Sequence, residues 1–235
     1  NFFPLLINKL SRGVSYKDGQ FNDARLNLLI ALSAEKGGAI IRNYNKVIGF
    51  KFKDDGKLCG VISEDTNGGK EEWNCNLIVN ATGIYSDRIR YMADKLLEEK
   101  IIISRGTHIV LEINLCPSGT GLLIPSTDDG RVIFILPFQG RTLVGTTDAK
   151  CTLDKATQAS EEEKSYLISN VKKIFSLSNQ PKIASSWAGG RPLLKANKSS
   201  VQSSRLVREH EIEILPCGLI SVMGGKWTTC RTMAL

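Results

Sequence analysis

The chain has 235 residues, room for one large domain or two small ones, and 42% of them are hydrophobic, enough to build a core. Its net charge is +7 and its pI about 9.1, but Lys and Arg are scattered and the densest run is mixed, as in Lys51-Phe52-Lys53-Asp54-Asp55; this argues against a clustered nucleic-acid face and suits a small anionic substrate. No stretch approaches the ~20 consecutive apolar residues that span a bilayer.

The opening residues, Asn1 to Leu10, are apolar but short, with neither a basic flank nor a small-residue cleavage site, so they do not read as a signal peptide. Asn1 rather than Met stands first, and the expectation is a chain that begins inside a longer protein. Asp23 to about Lys36 reads as a helix with Leu26, Leu29, Ile30 and Ser33 on one face, stopped by Gly37-Gly38. Ala39 to Arg42 reads as a short strand. Lys46 to Lys53 and Leu58 to Ser63 follow as strands joined by Asp54-Asp55-Gly56-Lys57, whose Asp-Gly supplies a hairpin's positive φ. Leu77-Ile78-Val79 is a continuous apolar run, as in a strand buried on both faces. A helix from Tyr85 to about Leu97 follows it.

From Ile101 to Thr146 the pattern is β-rich: His108 to Leu111, Leu122 to Ile124, Arg131 to Leu136 and Thr142 to Gly145 read as successive strands. Ser160-Glu161-Glu162-Glu163 is a capping box opening a helix to about Phe175. One or two more strands lead to Ala188-Gly189-Gly190-Arg191-Pro192-Leu193. A polar loop over Asn197 to Ser204 then leads to Arg205-Leu206-Val207-Arg208. A hairpin around Pro216-Cys217-Gly218 ends in the strand Leu219 to Met223, and Gly224-Gly225 precedes a final helix starting near Lys226. The order of elements suggests two interleaved domains, with the C-terminus returning to the first. The six cysteines, at 59, 75, 116, 151, 217 and 230, form no CxxC pair, and the two histidines lack zinc-ligand spacing; free thiols and no structural metal are expected.

Two glycine corners, Asn80-Ala81-Thr82-Gly83 and Gly224-Gly225-Lys226-Trp227-Thr228-Thr229, each follow an apolar strand and precede a helix. Glycine lets a ligand approach the backbone, and a helix N-terminus favours negative charge. Each is equally an ordinary turn, and no GxGxxG is present, so spacing alone does not make the chain a dinucleotide binder.

A series of longer motifs goes further. Tyr16 to Asn27 (YKDGQFNDARLN) resembles the "YYDGQFNDARLN" signature of flavin-linked glycerol-3-phosphate dehydrogenases. Asn80 to Asp87 is similar to their "NATGPWSD", Arg105 to Leu111 to "RGVHIVL", and Gly130-Arg131-Val132-Ile133-Phe134 through Gly145-Thr146-Thr147-Asp148 to "DGRVIF…LPW…GTTD". Trp187 to Leu193 resembles "WAGIRPL", Ser204 to His210 fits "SRxxRxH", and Gly224 to Arg231 fits "GGKWTTYR". These run in family order from Tyr16 to the end, nearest in character to the mitochondrial, quinone-reducing branch. The chain departs at Gly190 (a branched residue is usual), Cys230 (Tyr) and Ile84-Tyr85 (Pro-Trp). The family's N-terminal phosphate-binding loop and C-terminal domain lie outside these residues.

The resemblance implies a mixed α/β fold: an incomplete FAD-binding Rossmann-like domain interleaved with a β-rich substrate domain. Residues 1–100 would be part of the FAD domain with some substrate-domain elements, 101–215 mainly the substrate domain, and 216–235 the return. It implies oxidation of sn-glycerol 3-phosphate to dihydroxyacetone phosphate by hydride transfer to flavin N5, with electrons passed to quinone at the mitochondrial inner membrane. An oxygen-using glycerol-3-phosphate oxidase, a related flavin amine oxidase or an inactive module is the alternative. Arg208 is the expected phosphate clamp, since a guanidinium matches phosphate with two parallel bonds. Arg191 is expected near the C2 oxygen, where a fixed cation favours a developing alkoxide. His108 is the candidate base, titrating near pH ~6.5, with Arg191 competing for the proton-handling role. Ala81, Thr82 and Gly83 on one side and Gly224, Gly225, Lys226, Trp227 and Thr228 on the other are expected to line FAD, Lys226 facing the flavin N1–C2=O edge. Val47 is expected on the adenine side through its backbone.

Overall fold

The computed structural model describes residues 5–6, 13–195 and 210–235. The fold is of the expected mixed α/β class, and it divides into two compact units: Leu10–Ile78, and Val79–Leu235 together with Asn1–Lys9.

In the first unit, α1 (Asp23–Lys36) has the expected bounds because its ends are capped. The Asn22 side chain accepts from the Arg25 amide at 3.1 Å, satisfying one of the helix's orphan donors. The Gly37 amide closes on the Ser33 carbonyl at 3.0 Å. The face expected from Leu26, Leu29, Ile30 and Ser33 is not covered: no α1 residue is buried. The strand expected over Ala39 to Arg42 does not form. No described strand pairs with that segment, so its backbone groups have no ladder to join, and Ile40 and Ile41 are exposed. An antiparallel meander follows: β1 (Asn45–Phe52), β2 (Leu58–Asp65) and β3 (Lys70–Asn74). Gly56 takes φ +77 in the first turn. The sequence reading missed β3, whose KEEWN is polar apart from Trp73. It is held by pairing to β2 and by the Trp73 indole donating to Ser63 Oγ at 2.9 Å.

In the second unit β4 (Ile78–Asn80) is the short edge of a three-stranded sheet ordered β11–β12–β4, with β11 spanning His210–Ile214 and β12 Leu219–Gly224. Leu77 and Val79 are exposed and Ile78 half-buried, so the run is not buried on both faces as expected. The next helix is also shorter than expected. A 3-10 turn at Gly83–Tyr85 leads into α2 (Ser86–Ala93), which ends where the Asp94 carboxylate accepts from the Leu96 amide at 2.9 Å and so competes with the helix.

The larger sheet holds β5 (Ile101–Leu111), β6 (Leu122–Ile124), β7 (Ile133–Phe138), β8 (Arg141–Gly145), β9 (Ala149–Lys150) and β10 (Ile183–Leu194). Its order is β10–β5–β8–β7–β6, with β9 also on β5. The capping box opens α3 (Glu161–Ile174) as expected, with both reciprocal bonds made. Leu167 and Val171 of α3 are fully buried against Ile109, Leu111, Ile133, Ile135 and Val144. Each such side chain contributes about 1.5–3 kcal/mol, and this layer fixes which face of β5 points inward. At the C-terminus the helix starts later than expected, as α4 (Cys230–Ala234). Thr229 Oγ1 accepts from the Lys226 amide at 3.2 Å and donates to its carbonyl at 3.0 Å, closing a 3-10 turn first.

Candidate active site

β5 and β10 run antiparallel in a register that pairs Ser104 with Arg191, Gly106 with Gly189 and His108 with Trp187. Side chains alternate along a strand, so these six share one face. It is the face away from α3, because Thr107, Ile109 and Leu111 point to the helix side. Three glycines clear this surface. A Cβ on Gly106 would stand 2.6 Å from both Arg191 Cζ and Thr146 Oγ1, so the guanidinium lies directly over bare backbone. A Cβ on Gly145, which pairs with His108 across β8, would stand 2.8 Å from His108 Cγ and Nε2. Above Gly189 a Cβ would meet nothing within 4 Å.

Arg191 is aimed by the segment after β8. Its Nη2 donates to Thr146 Oγ1 at 2.9 Å and its Nη1 to the Thr147 carbonyl at 3.2 Å. His108 stacks on Trp187, with ring centroids 5.9 Å apart and planes 17° from parallel. Burial, aided by the Arg191 charge, lowers the His108 pKa from its ordinary 6.5 to about 4. The imidazole is therefore neutral at physiological pH, with a lone pair free to take a proton. A guanidinium cannot act as that base, because it does not give up its proton. The arrangement pairs a fixed cation with a neutral acceptor beside the open space above Gly189.

The Ala81-Thr82-Gly83 corner is organised by Asn80, whose buried Nδ2 donates to the Ser86 carbonyl and to Ser221 Oγ, each at 3.1 Å. Its Oδ1 accepts from Thr82 Oγ1 at 2.7 Å. Gly83 takes φ +59 with open space where a side chain would be. The second corner leaves β12, the strand beside β4, with Gly224 at φ +75 and Gly225 at φ +77. Lys226, Trp227 and Thr228 are exposed beyond it. Ile84 joins the first corner to β10: a Cβ on Gly190 would sit 3.0 Å from Ile84 Cγ2. Thus His108 and Arg191 come together on one sheet, and the two corners lie on adjacent strands of the other. Val47, half-buried in β1 opposite Ser63, belongs to the first unit. Arg208 lies outside the described residues.

The model of the FAD-dependent oxidoreductase (DAO) family matches residues 1–229. The chain belongs to that family. It is 39% identical to a probable mitochondrial glycerol-3-phosphate dehydrogenase of Dictyostelium discoideum, over 99% of this chain and 39% of that protein. To the mitochondrial glycerol-3-phosphate dehydrogenase of Homo sapiens it is again 39% identical, over 99% of this chain and 33% of that protein. The glycerol-3-phosphate dehydrogenase of Bacillus halodurans, solved with FAD, superposes with TM-score 0.76 at 31% identity, over 90% of this chain and 40% of that one. The chain thus spans 33–40% of the length of these relatives. The family's cofactor suits the residues present. A flat ring system needs backbone it can approach closely, and Gly83 and Gly189 each offer open space where a Cβ would stand.

Sequence reasoning missed part of this site. The motifs contain Gly106, Gly145, Thr146, Thr147 and Trp187 but point to no role for them. The signal was there: three glycines inside apolar strands, a position where glycine marks close approach.

Proposed function

We propose that this chain is the substrate-facing part of an FAD-dependent dehydrogenase that oxidises sn-glycerol 3-phosphate to dihydroxyacetone phosphate. The observation that carries the reading is Arg191 lying over Gly106 with neutral His108 on the same sheet face. Oxidising a secondary alcohol needs one group to take the hydroxyl proton and another to stabilise the negative charge that develops on the oxygen as that proton departs. His108 accepts the proton from the C2 hydroxyl on a ring nitrogen. Arg191 holds that oxygen and lowers the energy of its developing negative charge, an effect strengthened where water is excluded. Bound FAD supplies the two-electron acceptor for the hydrogen leaving C2. Arg208 grips the phosphate. Ala81, Thr82 and Gly83, with Gly224, Gly225, Lys226, Trp227 and Thr228, hold the cofactor; Lys226 faces the N1–C2=O edge and Val47 the adenine side. The names of the relatives support the substrate and a mitochondrial location. Quinone as acceptor, attachment at the inner membrane and the division into 1–100, 101–215 and 216–235 belong to this reading.

The test uses the full-length, FAD-loaded protein without oxygen. Glycerol 3-phosphate should bleach the flavin quickly and glycerol poorly, and Arg191→Met should slow the bleaching by about 10²–10³-fold. A flavin that glycerol 3-phosphate leaves oxidised would sink the proposal. Rapid reoxidation by a quinone but not by oxygen identifies a dehydrogenase rather than an oxidase.

A further inference from the structure

The reaction assigned above makes no use of Glu163, a buried carboxylate on which three hydroxyls, the Ser160 amide and the Arg105 guanidinium converge. It is the third residue of α3 and 7% exposed. Thr147 Oγ1 donates to Oε1 at 2.6 Å. Thr107 Oγ1 and Ser160 Oγ each donate to Oε2 at 3.0 Å, and Arg105 Nε pairs with Oε2 at 2.8 Å. Capping α3 requires only the exchange with Ser160. The bonds to Thr107 and Thr147 are additional, and they reach the segment that aims Arg191.

The direction of each bond follows from charge. Burial alone would raise the Glu163 pKa, but the hydroxyls of Thr147, Ser160 and Thr107 and the Arg105 charge outweigh it and hold it below its ordinary value. An ionised carboxylate only accepts, so Thr147 must spend its proton on Glu163. Its oxygen then accepts from the Thr107 amide at 2.8 Å. The residue is held from both sides, and its carbonyl is the acceptor for Arg191 Nη1; the neighbouring Thr146 hydroxyl takes Nη2. We infer that Glu163 is a positioning residue, which acts through Thr147 to set where the Arg191 guanidinium lies over the reactive face. This inference rests on the role given to Arg191 above.

The experiment uses the full-length, FAD-loaded enzyme and reads the limiting rate of flavin reduction, the Kd for glycerol 3-phosphate and the Tm. Glu163→Gln lowers the limiting rate on the order of 10-fold through a displaced Arg191 and leaves Kd nearly unchanged, because the phosphate is gripped elsewhere. Thr147→Val reproduces that loss with Glu163 intact, and Thr147→Ser, which keeps the hydroxyl, restores the rate. These two carry the test should Glu163→Gln fail to fold. The decisive comparison is Glu163→Gln in an Arg191→Met background. If Glu163 works through Arg191, the double variant is no slower than Arg191→Met alone, whereas a general structural defect multiplies the two losses. A multiplicative double variant, or Thr147→Val at the wild-type rate, overturns this inference and leaves the proposed function standing. A wild-type rate in Arg191→Met overturns the reading of the site itself, and this inference with it.

Discussion

Gly106→Ala adds one methyl beneath the Arg191 guanidinium, and its effect can be worked from the structure. The new Cβ would stand 2.6 Å from Arg191 Cζ and 2.6 Å from Thr146 Oγ1, whereas carbon atoms settle at about 3.5–4.0 Å. The guanidinium must therefore retreat by about 1 Å. Its bonds of 2.9 and 3.2 Å to Thr146 and Thr147 then stretch to about 4 Å, beyond hydrogen-bonding range. The colliding guanidinium is the far end of a flexible side chain, so the fold should survive with a loss of about 1–3 kcal/mol. The chemistry should suffer more: a charged group displaced by about 1 Å costs about 10²-fold in rate, or about 2.7 kcal/mol. Stopped-flow flavin reduction at saturating glycerol 3-phosphate measures this, with Tm and FAD content recorded alongside. Gly189→Ala, melted as the FAD-free protein because its open face is offered to the cofactor, is the stability control, since it makes the same backbone change on the paired strand and meets nothing within 4 Å. A Gly106→Ala enzyme with full FAD and an unchanged limiting rate would refute the claim that the bare floor sets the place of Arg191.

Three further outcomes are expected. Folded His108 stays neutral down to about pH 4 while an unfolded histidine takes a proton near pH 6.5, so the unfolded chain binds more protons in that window. Stability therefore rises with pH from about 4 to 6.5 and is flat above it as far as this group is concerned; His108→Gln should remove that slope in urea titrations, and Arg191→Met should raise the His108 pKa seen by NMR. Arg90, only 1% exposed, is held by Glu213 at 2.6 Å and Asp87 at 2.6 Å. Arg90→Met should cost about 1–3 kcal/mol of unfolding free energy, because it leaves the half-buried Glu213 and Asp87 carboxylates without their guanidinium partner. Burial would raise the Glu213 pKa, but its bonds to Arg90 and Lys100 lower it overall; its stabilising part is present above the unfolded pKa near ~4.3 and lost as pH falls through the lower folded value. Finally, Gly190→Ile should lose about 1–3 kcal/mol by overpacking, and Ile84→Ala in the same chain should recover much of it on thermal melting.

Elements with strong local signals were legible in the sequence. α1 and α3 have caps within a few residues of their ends, and β1 and β2 flank an Asp-Gly turn. The failures share a cause: their outcome depends on partners distant in sequence. Ala39 to Arg42 carries strand-forming residues but has no strand to pair with among the described residues. β3 carries polar ones and is recruited by β2. Leu77-Ile78-Val79 looks doubly buried, yet it sits at a sheet edge. His108 and Arg191 were reachable from motif resemblance, but their juxtaposition comes from the β5–β10 register, which no local pattern encodes. Glu163 was read correctly as a cap. Its bonds to Thr107 and Thr147 are invisible in the sequence because those residues lie 56 and 16 residues away.

The position of the reactive face follows from the packing of the opposite one. Along β5, Thr107, Ile109 and Leu111 are committed to α3, so Ser104, Gly106 and His108 must face away. A slip of one residue in the β5 register would send His108 into the core and Ile109 into the open, an exchange opposed by the burial of both Ile109 and Leu111. Glycines on the two faces then have different consequences. Gly106 and Gly145 are bare on the face away from α3, and the freed space is taken by the Arg191 and His108 side chains. Gly190 lies on the packed side, where a missing side chain would leave a void. That void is filled: Ile84, Ala156 and Ile103 stand 3.0, 3.0 and 3.1 Å from where its Cβ would be. Gly190 and Ile84 are also two of the positions at which this chain departs from the motifs it resembles. Their contact places the Ile84 side chain in the space that Gly190 leaves on β10, on the face opposite Arg191.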